Sequence, residues 1–194
     1  GAKGFMNKGK WSPYSDDSVF QKYYTKFVKA LAKDFNDPSK VEFIDGFGLG
    51  KWGEYHTMIY STGDDTPKKA VFDWVTDIYS QAFDKVPVVI NYHRWIGAGK
   101  DWVDDEHFAA DSEEMLEEAI KKGYSLRHDA FGMTTYYGSW ERRFAKKYRN
   151  ICPIIMEGGW IVKSHSYWQD PRGYRKDSHE DVRRGEFDDS KEAH

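Results

Sequence analysis

Apolar side chains recur along this chain with two different periods, and the two alternate. Between residues 16 and 35, Val19, Phe20, Tyr23, Tyr24, Phe27, Val28, Leu31 and Phe35 fall three and four apart. That spacing predicts a helix, with Ser15 or Asp16 as its N-cap. "NDPSK" breaks it, and residues 41–49 (VEFIDGFGL) read as a strand. Thr66-Pro67 opens a second helix with proline at its first position and Ala70, Val71, Trp74, Val75, Ile78 and Phe83 on its inner face. Residues 86–92 (VPVVINY) are almost wholly apolar, as a strand covered on both faces should be. Asp111 and Glu114 form a capping pair for the helix "SEEMLEEAIKK", which Gly123 closes. Residues 124–131 (YSLRHDAF) predict a third strand. Residues 139–149 predict a helix with Trp140, Phe144 and Tyr148 inward, and "ICPIIMEGG" predicts a fourth strand. After Trp160 the chain turns polar. Residues 170–194 are rich in charge, with a short helix near 177–185 and partial disorder expected in the last twenty residues.

Strands alternating with helices, and no hairpin signal, predict an α/β fold built on a parallel sheet. Segments 41–49, 86–92, 124–129 and 151–156 should pair as neighbours in chain order, with right-handed crossovers. At 194 residues the chain suits a single domain, best supported over 15–160, followed by a polar segment, 161–194. The net charge is −3, and basic residues are scattered among acids, which argues against a nucleic-acid partner. No apolar run is long enough to span a bilayer as a helix. The single cysteine, Cys152, excludes an intramolecular disulfide. "GAGKDW" at 97–102 lacks the spacing of a phosphate loop, and no cofactor is expected.

Parallel βα sheets place chemistry at the carboxyl ends of their strands. Here those ends read "GKWGEYH", "NYHRW", "RHDAFG" and "MEGGW", while the opposite ends read as ordinary solvated turns. Glu54 and Glu157 are the pair to single out. Two carboxylates serve glycosidic cleavage, one as proton donor and one as nucleophile or base. Either could equally cap a helix or pair with Arg94, Arg127 or a lysine. Trp52, Trp95 and Trp160 follow strand runs directly and suit stacking against a sugar. Trp74, Trp140, Tyr23 and Tyr24 lie on helix stripes and read as core, whereas Trp11, Trp102 and Trp168 fall in loops with no readable role. Asn91 and Arg94 read as contacts to ligand hydroxyls or as supports for a glutamate, and Arg127 as the same or as a structural ion pair. Asp45, inside its strand, reads as a satisfied interior acid. His56, His93 and His128 come from three strand ends, and with Asp129 or Glu54 they could make a metal set. No metal-ligand spacing supports that, and such histidines more often bond substrate or orient a carboxylate.

The arrangement resembles the clan A glycoside hydrolases, and "IDGFGLGKWGEYHT" is similar to an uncharacterised bacterial group within them, β-galactosidase-like. "DGFGLGKWGE" resembles that clan's fourth-strand motif and "PIIMEGGW" its seventh-strand motif, with two strands between them. The resemblance implies a partial (β/α)8 TIM barrel covering strands four to seven. It implies a retaining hydrolase acting on an oligo- or polysaccharide, with Glu54 as acid/base and Glu157 as nucleophile. His56, His93, Arg94, Arg127, His128, Asp129 and Asn91 would line the site beside the three tryptophans, with no metal. It also implies a periplasmic or extracellular bacterial setting. One departure stands out: Gly53 occupies the position where many families of the clan carry an asparagine that holds the sugar 2-hydroxyl. That leaves a non-catalytic carbohydrate-binding barrel as an alternative, with a histidine-dependent metallohydrolase behind it. Four strands are too few for a closed barrel of about 250 residues. The remaining strands are expected from the rest of a longer protein or from another chain.

Overall fold

The computed structural model describes residues 1–99, 106–132, 137–165, 169–170 and 172–193. Trp102, Trp168 and the end of "GAGKDW" from Lys100 onward lie outside the described residues. The chain is a mixed α/β protein in two compact units, one of residues 1–90 and 95–124, the other of 91–94 and 125–194.

The first unit opens with a hairpin the sequence did not announce, β1 (Gly4–Asn7) against β2 (Lys10–Pro13), antiparallel, with Asn7 opposite Lys10. Its two-residue turn has both central residues left-handed, Lys8 at φ 48° and Gly9 at φ 78°. Such a turn usually advertises itself as Asn-Gly. A lysine in the first slot, between strands of four residues, hides it.

Helix α1 (Ser18–Phe35) is capped by Asp17, whose Oδ1 accepts from the amides of Val19 (3.0 Å) and Phe20 (2.9 Å). The neighbouring acid, Asp16, accepts from the Ser61 amide at 2.9 Å instead of capping. The apolar stripe of α1 is wider than the face it buries. Val28 is buried, and Phe20 and Tyr24 pack near Trp74 of α2 (Lys68–Ala82), with ring centroids 6.3 and 5.8 Å away. Val19, Tyr23, Phe27 and Phe35 point outward, so Tyr23 is not core. On α2, Val71, Val75 and Ile78 are buried as expected, but Ala70 is exposed.

Strand β3 is Ile44–Asp45 alone, far shorter than the run 41–49, and it pairs in parallel with β4 (Val88–Asn91). The cause lies just past it. The Gly46 carbonyl accepts from the Tyr124 hydroxyl at 2.7 Å, and the Phe47 carbonyl from the Tyr24 hydroxyl at 3.0 Å. Side chains thus take up carbonyls that a longer ladder would have used. Asp45 is exposed, not interior. Every residue of β4 is buried, as its apolar run requires. Helix α3 runs Glu106–Lys121, so Asp111 sits inside it, not at its start. There its carboxylate accepts from Lys68 Nζ at 2.8 Å, and a second pair, Lys69 with Glu118 at 2.6 Å, also links α2 to α3.

In the second unit β5 (Ser125–Phe131) and β6 (Ile154–Gly158) pair in parallel, Leu126 opposite Ile154. Between them α4 (Ser139–Tyr148) buries Trp140, Phe144 and Tyr148. The polar C-terminal segment folds into a long helix, α5 (His179–Ala193), well beyond the short helix and disorder expected. Its buried Asp189 accepts from Arg142 Nε of α4 and from an Arg172 nitrogen, both at 2.8 Å. The four longer-range strands lie in one sheet in chain order, β3-β4-β5-β6, and β4 passes from the first unit into the second at Asn91.

Of the described glycines in the first unit, Gly46 leaves an added side chain the least room. A Cβ there would press on the Val88 side chain and lie 2.8 Å from the Tyr124 ring. Gly46→Ala should therefore destabilise the fold by about 1–3 kcal/mol, the usual cost of overpacking, read as a lower urea midpoint with an unchanged slope.

Candidate functional site

The segment "GLGKWGEYHT" that follows β3 does not run as a simple turn. Six of its ten residues are left-handed: Gly48 (φ 57°), Gly50 (75°), Trp52 (55°), Gly53 (79°), Tyr55 (59°) and Thr57 (53°). For a non-glycine residue this region costs on the order of 1–3 kcal/mol, and such strain gathers at functional sites. Three non-glycines in it need firm restraint, and the restraints are visible. The Tyr55 amide donates to the Leu49 carbonyl at 2.9 Å and the Lys51 amide to the His56 carbonyl at 2.8 Å. The ring of Tyr55 is fully buried, edge-on to Phe72 at 5.3 Å, and its carbonyl accepts from the Gly97 amide at 2.7 Å. Gly50 is obligatory, because a Cβ would lie 2.6 Å from the His56 carbonyl oxygen.

This winding sorts the side chains. Tyr55 goes in. Trp52 goes out and is 69% exposed. Glu54 and His56 are left facing each other, with Glu54 Oε2 3.0 Å from His56 Nε2. His56 is buried, while the Glu54 side chain keeps 20% of its surface open. The Trp52 ring lies 5.6 Å from the imidazole, and Lys51 Nζ stands 4.0 Å above the Trp52 ring. Thr57 Oγ1 is 3.4 Å from His56 Nδ1. A carboxyl with a fifth of its surface open, set on a buried imidazole, is an arrangement suited to proton transfer. Trp95, by contrast, is buried within this unit and presents no stacking face.

The other candidate residues belong to the second unit. Glu157 is the more open carboxylate, 64% exposed, and it accepts from an Arg127 nitrogen at 2.7 Å. Trp160 is 52% exposed. Arg94 holds a glutamate, but a different one: its Nη1 donates to both oxygens of Glu141, at 2.9 and 2.8 Å. Glu141 is fully buried at the start of α4, and also accepts from the Gly138 amide at 2.8 Å. Burial pushes its carboxyl above the ordinary glutamate range, against the pull of Arg94. Asn91 and His93 are buried beside this pair in the chain, and Asn91 Oδ1 has no hydrogen-bond partner among the described residues.

His128 is buried against the rings of Tyr92 (5.1 Å) and Tyr137 (4.8 Å), whose hydroxyls bond each other at 2.7 Å. Its Nδ1 accepts from the Ala130 amide at 3.0 Å, which places the ring proton on Nε2, where it meets no partner among the described residues. Desolvation lowers its pKa to about 3, with Asp129 pulling the other way. Asp129 Oδ1 lies 3.8 Å from Nδ1, and its side chain is 21% exposed. Among the described residues no three His, Cys, Asp or Glu side chains form a group that could hold a metal ion.

Lys51, Thr57, Tyr92, Tyr137 and Glu141 were not singled out from the sequence. Lys51 and Thr57 flank the candidate glutamate directly. Glu141, in "SWERRF", looks like any solvated helix residue, and only its burial distinguishes it. No protein-family profile, curated protein or solved structure matches the chain.

His128 makes a pH prediction. Its folded pKa lies far below its unfolded value of 6.5, so the folded state binds fewer protons. Its contribution to stability is complete above pH 6.5 and is lost as pH falls from there towards 3, at about 1.4 kcal/mol per pH unit. His128→Asn keeps an acceptor for the Ala130 amide but cannot titrate. Urea midpoints at pH 7.5 and 5 should fall more steeply for the wild type than for this variant, and equal slopes would contradict the assignment.

Proposed function

We propose that this chain is part of a (β/α)8-type glycoside hydrolase, with Glu54 as the acid/base and Glu157 as the nucleophile. The observation that carries the reading is the Glu54–His56 pair, 3.0 Å apart, set beside an exposed tryptophan by a strained segment at the carboxyl end of a parallel strand. Glu54, protonated, gives its proton to the departing glycosidic oxygen, and His56 Nε2 fixes the carboxyl and steadies the charge left behind. Glu157, held by Arg127, attacks the anomeric carbon to form a glycosyl ester. Water then displaces the ester, giving its proton back to Glu54. Trp52 supplies a flat apolar face for the C–H side of a sugar ring.

The roles predict an asymmetric response to leaving group. Glu54→Gln should lower kcat/KM for alkyl glycosides about 10²–10⁴-fold, and far less for a dinitrophenyl glycoside, whose phenolate leaves without a proton. Equal losses on both substrates, or none, would remove Glu54 from the acid/base role.

A non-catalytic carbohydrate-binding role has one observation in its favour. Gly53, left-handed at φ 79°, offers no side chain where many clan A families carry the asparagine that grips the 2-hydroxyl. Sugar binding by the wild type with no turnover of any glycoside would select that reading.

A further inference from the structure

Helix α1 carries more on its surface than its packing against α2 uses. Residues 1–35 hold seven lysines and three aspartates, a positive surplus in a chain whose net charge is −3. Two of those aspartates are committed, Asp17 to the cap and Asp16 to Ser61. Within α1 itself Lys22, Lys26, Lys29 and Lys33 stand against a single acid, Asp34, in the last turn. All four lysines are exposed, and none is in an ion pair among the described residues. Lys26 Nζ lies 5.3 Å from the centre of the Tyr23 ring.

Helical geometry sorts these side chains into rows. At about 100° of rotation per residue, the four lysines share a row about 60° wide, roughly opposite the inner side formed by Phe20, Tyr24 and Val28. Val19, Tyr23 and Phe27 recur at every fourth position and make a second row on one flank, between the lysines and the inner side. They are 37, 61 and 54% exposed. An apolar row of that period is the ridge one helix packs into the groove of another, most often at about −50°. A helix laid along this flank would cover the three side chains and bring its own outer row over the lysines. A flat anionic membrane would not. Helices that lie on membranes turn the apolar face into the lipid, whereas here the lysines are outermost and the apolar row would be left to one side.

Charge complementarity asks that the covering helix be acidic. No described helix of this chain offers acids beside an exposed apolar row. Among its described side chains α3 bears Glu113, Glu114, Glu117 and Glu118 but exposes no large apolar residue. On α5 the exposed Phe187 is flanked by Arg183, Arg184 and Lys191, with Lys191 Nζ 4.2 Å from the ring centre. A second copy of the chain is therefore a poor fit.

We propose that this flank of α1 is the docking site of an acidic amphipathic helix from another polypeptide. Its apolar row seats on Val19, Tyr23 and Phe27, and its carboxylates meet Lys22, Lys26, Lys29 and Lys33.

The test uses a fluorescent synthetic helix with leucines at every fourth position beside a row of glutamates. Its controls are a counterpart with lysine for each glutamate and a scramble of the same composition. Binding to the whole chain is read by anisotropy. The glutamate helix should bind tenfold or more tighter than either control. Lys22→Gln/Lys26→Gln should lose at least tenfold, and Lys22→Arg/Lys26→Arg should keep the affinity. Tyr23→Ser/Phe27→Ser should also lose at least tenfold while its urea midpoint stays near that of the wild type, because both rings are exposed. Equal affinity for the glutamate and lysine helices, no binding of any helix, or affinity untouched in the glutamine variant would overturn the proposal. Binding to phosphatidylserine vesicles in place of the glutamate helix would give this face to a membrane. Dimerisation in sedimentation that Tyr23→Ser/Phe27→Ser abolishes would give it to a second copy, and either result also overturns the proposal.

Discussion

The burial of Tyr55 is the constraint on which the rest of the first unit's chemistry depends. Its ring is fully buried, edge-on to Phe72, its backbone is bonded to Leu49 and Gly97, and Tyr55 itself is held left-handed between Gly53 and Thr57, which are left-handed too. Once that anchor is set, the neighbours have little choice. Trp52 is pushed outward, and Glu54 and His56 are turned towards each other. Lys51 and Thr57 come to line a cavity beneath the hairpin. The strain of three left-handed non-glycines is offset by this burial. A flexible loop of the same composition would present the same groups without holding them.

The second unit solves a different problem. It buries charge and hydroxyl groups in quantity: Glu141 with Arg94, Asp189 with two arginines, and the Tyr92–Tyr137 pair beside a neutral His128. Losing one partner of such a pair typically costs about 3–5 kcal/mol, because the other charge is left buried and alone. These groups therefore fix the positions of the segment 91–94 and of β5, from which Arg127 reaches Glu157.

Much of the architecture was legible in the apolar pattern, and the misses share a physical cause. Helices α1, α2 and α4 and the strand β4 stood out because their apolar residues keep a period over many positions or fill one short run. The hairpin escaped because a lysine occupies a turn slot usually held by asparagine. β3 was overdrawn because nothing in "VEFIDGFGL" shows that tyrosines 24 and 124 claim its next carbonyls. α5 was underdrawn because its stability comes from buried ion pairs, which leave no apolar period behind. At the candidate site, position at a strand end identified Glu54, His56 and Trp52. Which of the strand-end residues are buried was hidden: Trp95, His93 and Asn91 are sealed in, while Trp160 and Glu157 are open.

The central claim is that Glu157 attacks an anomeric carbon while Glu54 manages the proton. Incubation with 2-deoxy-2-fluoroglycosyl fluorides, followed by intact mass and peptide mapping, tests it most directly, because the fluorine slows hydrolysis of the glycosyl ester. The account predicts one fluoroglycosyl group per chain, on Glu157, and none on a Glu157→Gln variant. A label on any other residue, or turnover of a glycoside with the Glu157→Gln variant at the wild-type rate, would contradict it.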